Sequence, residues 1–159
     1  MPLNDVPSTQ VVHAVMQDIV DSIVQTYQDV DVALPDRHIL SVGAAPHDCE
    51  MINVSLEQLY VGGPGDQAEQ PMRCEAPRTL VLTVHLVRCI PTPKSRAASV
   101  SQEAMDTSTA QLATDFWMLL EGVMNSEAVN WLGALVDIEA GPASGGYQAV
   151  QANVVVGVP

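Results

Sequence analysis

A chain of 159 residues is long enough for one domain that buries roughly 70% of its unfolded surface without staples. With 47% hydrophobic and 16% charged residues it falls outside the disordered class, and its apolar runs are too short and too interrupted to read as a transmembrane helix. Six basic residues against nineteen acidic ones, a formal charge of -13, exclude an electrostatic grip on phosphate backbones, which needs clustered Lys and Arg.

The opening MPLNDVPST lacks the basic start and apolar core of a secretory signal, so export is not expected. After Pro7, Ser8 or Thr9 can cap a helix in which Val11, Val15, Ile19, Ile23 and Tyr27 recur every four residues beside Val12, Met16, Val20 and Val24. Asp18, Asp21 and Gln25 fall off this stripe and predict a wet opposite face. Pro35 and the Gly43 to Pro46 turn leave room for a short extended piece around His38 to Val42. From Glu50 the residues alternate, with Ile52, Val54, Leu56 and Tyr60 on one side and Asn53, Ser55 and Glu57 on the other, the period of a half-buried strand.

A flexible acidic stretch, GGPGDQAEQP, leads to APRTLVLTVHLVRCIPTP. In that second strand Leu80, Leu82, Val84 and Leu86 form one face, and Thr79, Val81, Thr83, His85, Val87 and Cys89 form a mixed one. Pro91 and Pro93 end it, and a second helix is predicted from Ser99 with Gln102 as capping partner, its apolar side made by Met105, Leu112, Phe116, Leu119, Leu120 and Val123. A third short helix near Ala128 to Leu135 and a hairpin with arms Leu135 to Ala140 and Gln148 to Val158 complete the chain. Without an internal repeat or interdomain linker, residues 1–159 read as a single domain of α+β class, a largely antiparallel sheet with helices packed on one face.

Chemistry-bearing motifs are few. His47, Asp48, Cys49 and Glu50 stand in a row, but neighbours on a strand point to opposite faces, and no CxxC or HxxxH spacing supplies further ligands, so a polar turn is the better reading than a zinc shell. His85 has no acid partner nearby in sequence, GGPGD lacks the Lys-Ser/Thr ending of a phosphate loop, and GPASGG is no nucleophile elbow. Trp117 beside Phe116 reads as core or subunit contact rather than a ligand platform. The odd count of Cys49, Cys74 and Cys89 predicts buried free thiols. No catalytic residue, metal site or cofactor is expected.

The order of an amphipathic helix, DCEMINVSLEQLYVG, a Gly/Pro-rich loop with RCEAPRTLVLTVHLVRCIPTP, a long helix and a final GPASGGYQAVQANVVVGV resembles the tail terminator and related neck proteins of long-tailed bacteriophages of actinobacteria. The likeness spans nearly the whole chain and is carried mainly by Cys49, Cys74 and Cys89 with Pro91 and Pro93. It implies a tail-terminator-like fold and a non-enzymatic ring, usually a hexamer, that sits on the last ring of tail tube protein and stops tube growth. The same ring would dock the tail to the head connector while genomic DNA passes through without specific binding. The expected place is the virion neck, assembled in the host cytoplasm, with no membrane contact. A head-to-tail connector or stopper ring is the neighbouring alternative, and a small cytosolic thiol or metal enzyme using His47 and Cys49 is the alternative of different class.

In such a ring, the Thr83, His85 and Val87 face is either a subunit contact or the seat of the second helix. The loop from Gly62 to Gln70 is long for a strand connection, which makes Asp66 and Glu69 the remaining candidate interface residues. Much of the acidic excess is expected to line the channel and repel phosphates.

Overall fold

The computed structural model describes residues 10–44, 48–63, 78–95, 98–132, 134–141 and 146–158. The four-residue apolar stripe folds as α1, Val11–Asp29. Val15, Ile19 and Ile23 are fully buried along it, and each such side chain contributes about 1.5–3 kcal/mol relative to staying in water. Its N-cap is Gln10, which makes no side-chain cap bond; Ser8 and Thr9, expected in that role, lie outside the described residues. At the other end Asp31 takes φ 54, and the N–H groups of Asp31 and Val32 return to the carbonyls of Gln28 and Tyr27 at 3.3 and 3.2 Å. That left-handed turn satisfies two of the acceptors every helix end leaves open.

Five strands form one sheet: β1 (Arg37–Val42), β2 (Met51–Val61), β3 (Arg78–Cys89), β4 (Ala134–Ala140) and β5 (Tyr147–Val158), in the order β1-β2-β3-β5-β4. All neighbours are antiparallel except β1 with β2. Parallel neighbours ordinarily need a crossover of about a dozen residues or more. The stretch from Gly43 to Glu50 suffices here because β1 is only six residues long.

Two more helices follow β3 in sequence, α2 (Gln102–Asn125) and α3 (Glu127–Leu132). The cap of α2 is Ser101, not Ser99: its Oγ accepts from the Ala104 N–H at 3.2 Å. All three helices lie on one face, since a single core joins Ile19 and Ile23 of α1, Leu119 and Val123 of α2 and Val129 of α3 to Leu80, Leu82, Val84 and Leu86 of β3. The α+β class with a largely antiparallel sheet and helices on one face is what the chain adopts. The two long helices touch closely at Gly122, where a Cβ would sit 2.7 Å from the Ile23 Cα, and the Ser22 hydroxyl donates to the Gly122 carbonyl at 2.7 Å.

Three local expectations are overturned. The β2–β3 register shifts between Leu56 and Gln58, so the extra residue, Glu57, flips the alternation and puts Tyr60 opposite Thr79, on the face away from Ile52 and Val54. Asp18 is not merely a wet-face residue, because its carboxylate accepts from the Ala128 N–H at 2.9 Å and so caps α3. On α2, Leu119 and Val123 are buried while Met105 and Phe116 face outward, because the helix is rotated to bring Asp115 and Gly122 toward the body.

Candidate functional site

Even-numbered residues of β3 face the helices, and Arg88 continues that series after Leu86. Its side chain is 8% exposed and that of Asp115 on α2 is 0% exposed. Arg88 Nε and Nη2 each donate to Asp115 at 2.9 Å, a two-pronged pair. Nη1 donates to Glu50 at 2.9 Å, and Nη2 also reaches the Ala33 carbonyl at 2.7 Å. Asp115 accepts in addition from the buried Tyr27 hydroxyl at 2.6 Å. Burial alone would lower the Arg88 pKa, but the hydrogen bonds and charges of Asp115 and then Glu50 outweigh it and raise it. Burial first, and the bond to Asp115 second, push the Tyr27 phenol far above its ordinary value.

Glu50 is set for this role by backbone geometry. It takes φ 52, a left-handed conformation uncommon outside glycine, and its second oxygen accepts from the Cys89 N–H at 3.2 Å. Extending the Met51–Val87 register by one step places Glu50 opposite Arg88, and by two steps Cys49 opposite Cys89. Cys49 and Cys89 are joined as a disulfide, with Cα atoms 5.0 Å apart. The expectation of free thiols is corrected for these two; Cys74 lies outside the described residues. The cause is long-range register, which cysteine counting does not see. Beside the disulfide, Arg37 pairs with Asp48 at 2.7 Å and donates to the Cys49 carbonyl at 2.8 Å, and the Arg37 and Cys49 N–H bonds draw the Asp48 pKa down.

Glu50 and Arg88 open onto a cleft of about 590 Å³ that runs to Ser101, Thr107 and Gln111 at the start of α2. Arg88 is committed to two carboxylates and a carbonyl, so this constellation acts as a clasp between β3, α1, α2 and the start of β2 rather than as an anion receptor. Among the described residues no group of three or more His, Cys, Asp or Glu side chains is placed to hold a metal ion.

Of the candidate interface residues, Thr83, His85 and Val87 lie together on the face of β3 turned away from the helices, so α2 does not seat on them. Thr83 and Val87 are buried, Val87 in a small apolar cluster with Met51 and Ala149. His85, half-buried, meets Gln151 of β5 at 3.2 Å, and Gln151 donates to Asn153 at 2.9 Å. Neighbouring polar groups in β2 are satisfied across and along the strands: Asn53 donates to the Ser41 hydroxyl of β1 at 3.1 Å, and the Ser55 hydroxyl meets Glu57 of its own strand at 2.7 Å and the Thr83 carbonyl of β3 at 3.3 Å. Asp66, Glu69 and His47 lie outside the described residues.

Along α2 the side chains of Met105, Phe116, Trp117 and Met124 are all exposed, Trp117 at 58%. The core reading of Trp117 is thereby excluded. Phe116 and Leu112 border a groove of about 490 Å³ whose far wall is Ala140 of β4 and Gln148 to Val150 of β5. Sequence reading missed Arg88, Asp115, Glu50 and Tyr27 as a unit. The available signal was a charge on the apolar face of β3 and another on the inward side of α2. The sequence matches no protein-family model and no curated protein.

Proposed function

We propose that the chain is a non-enzymatic assembly subunit of a bacteriophage neck, a ring-forming tail terminator that caps the tail tube and joins it to the head connector. The sequence resemblance supplies the identity of the particle. The observation that carries the assembly reading is the exposed apolar surface of α2, where Trp117 and Met124, seven residues and so about two turns apart, share an outward face and Phe116 is exposed on the flank. Large apolar groups left exposed as neighbours on a helix mark a surface that becomes dry in a complex. The clasp around Arg88 fits the same reading, because it fixes α2 against the sheet and so holds that surface in one orientation.

Mass photometry of the purified protein tests the reading first, with a closed ring as the expected species, and a map of the particle neck with this chain traced in it tests the location. A protein that remains a single chain at tens of micromolar concentration, or a neck map without it, overturns the proposal.

A further inference from the structure

The two rims of the sheet are β1 and β4, and each presents an outer row of backbone N–H and C=O groups without a strand partner among the described residues. Such rims are templates for another strand unless something blunts them. Each rim also carries an outward apolar side chain, Val42 at 81% exposure on β1 and Leu135 at 59% on β4. Their charges are opposite: β1 begins with Arg37 and His38, and β4 carries Asp137 and Glu139, all four exposed.

The geometry points to these two rims as the joint between neighbouring copies, the β4 rim of one chain pairing with the β1 rim of the next so that the sheet continues from copy to copy. This deepens the ring reading above and rests on it. Strands β1, β2 and β5 run one way and β3 and β4 the other, so continuing the sheet side by side sets β4 antiparallel to the neighbour's β1. The lengths match, six residues against seven.

Only registers that keep the two faces of the sheet in line are allowed, because a slip of one residue turns every side chain over. The register that uses all of β1 sets Arg37 against Glu139, Ile39 against Asp137 and Ser41 against Leu135 on the helix-free face. On the helix face it sets His38 against Ile138, Leu40 against Val136 and Val42 against Ala134. Leu40, Val136, Ile138 and Ala134 already pack on the edge of the main core, so the joint carries that core across to the next copy and covers Val42. Arg37 keeps Asp48 and gains Glu139, which its planar fork of donors permits. The contact joins two different rims, so repetition builds a ring where the rotation per copy closes and a filament where it does not, never a two-fold pair. A strand pair this short buries less than the roughly 1,200–2,000 Å² of a stable interface, and the exposed Phe116 of α2, which borders a groove with the end of β4, adds to it.

A variant carrying Ser41→Cys and Leu135→Cys, with Cys74→Ser to remove the remaining cysteine, tests the joint. Mild oxidation is expected to give a ladder of covalent oligomers on a non-reducing denaturing gel, ending at the ring size seen by mass photometry, while Ser41→Cys or Leu135→Cys alone gives none. Rings that form normally yet never cross-link overturn the joint and leave the ring reading standing. Absence of rings for the unmodified protein overturns both, and Asp137 and Glu139 then serve to keep the rim unpaired. A second arm does not depend on introduced thiols: R37E and E139R each weaken assembly by about two- to five-fold, the range of an exposed ion pair, and the double reversal restores it. A double variant no better than either single one overturns the pairing.

Discussion

Asp115→Ala removes one half of the buried pair and leaves the other half in place. The Arg88 guanidinium, 8% exposed at its side chain, keeps only Glu50 and the Ala33 carbonyl, and the Tyr27 hydroxyl loses its acceptor. Stranding one member of a buried ion pair costs about 3–5 kcal/mol, and an orphaned buried hydroxyl about 1–3 kcal/mol. The two belong to one network and do not add fully, so the expected loss is about 4 kcal/mol out of a total of about 5–15 kcal/mol for a domain. The midpoint of thermal unfolding should fall by about 8–16 °C. Urea unfolding followed by circular dichroism at neutral pH measures it, with Arg88→Met, Asp115→Leu and Tyr27→Phe combined as the comparison. Replacing the whole polar group by apolar side chains removes the stranded charge and should return most of the loss. An Asp115→Ala protein within about 1 kcal/mol of the wild type, or a triple variant as unstable as the single one, refutes the account of the clasp.

Reducing the Cys49–Cys89 bond, which closes a loop of sequence separation 40, should lower the unfolding free energy by about 4 kcal/mol on the chain-entropy model. A urea midpoint that does not move on reduction would show that the bond does not constrain the unfolded chain. The folded chain holds the Tyr27 proton above the ordinary tyrosine pKa of about 10. The stability tied to it is therefore complete below that pH and lost as pH rises beyond it. Alkaline titration followed by ultraviolet absorbance should show a phenol that ionises only on unfolding, and the step should be missing in Tyr27→Phe. Gly122→Ala drives a methyl group toward the Ile23 Cα and should cost about 1–3 kcal/mol of overpacking, against a helix-propensity gain of about 1 kcal/mol; a raised melting temperature would mean that the helices separate freely. With a charge of -13, duplex DNA should not be retained by the protein in low salt on a mobility-shift gel, and tight salt-sensitive binding would contradict the expectation of a ring whose lumen repels phosphates.

The local periods of the sequence were enough to place α1 and the helix-facing side of β3, because a repeat of about four residues and one of two each select a conformation before any distant contact forms. Val15, Ile19 and Ile23, and Leu80, Leu82, Val84 and Leu86, could be assigned to the interior on that ground alone, and they are there. The features that depend on which distant segments meet could not be read in this way. The pairing of β1 alongside β2, the bulge at Glu57 and the meeting of Cys49 with Cys89 all follow from strand register. The rotation of α2 decides that Phe116 and Trp117 face out and Asp115 faces in, and the helix's own pattern leaves that open because apolar residues lie around most of its circumference. Arg88 is the clearest instance: its position after Leu86 put it on the inward face, yet only the packing of α1 and α2 over the sheet supplies Tyr27 and Asp115 across 61 and 27 positions of the chain and makes an inward arginine tolerable.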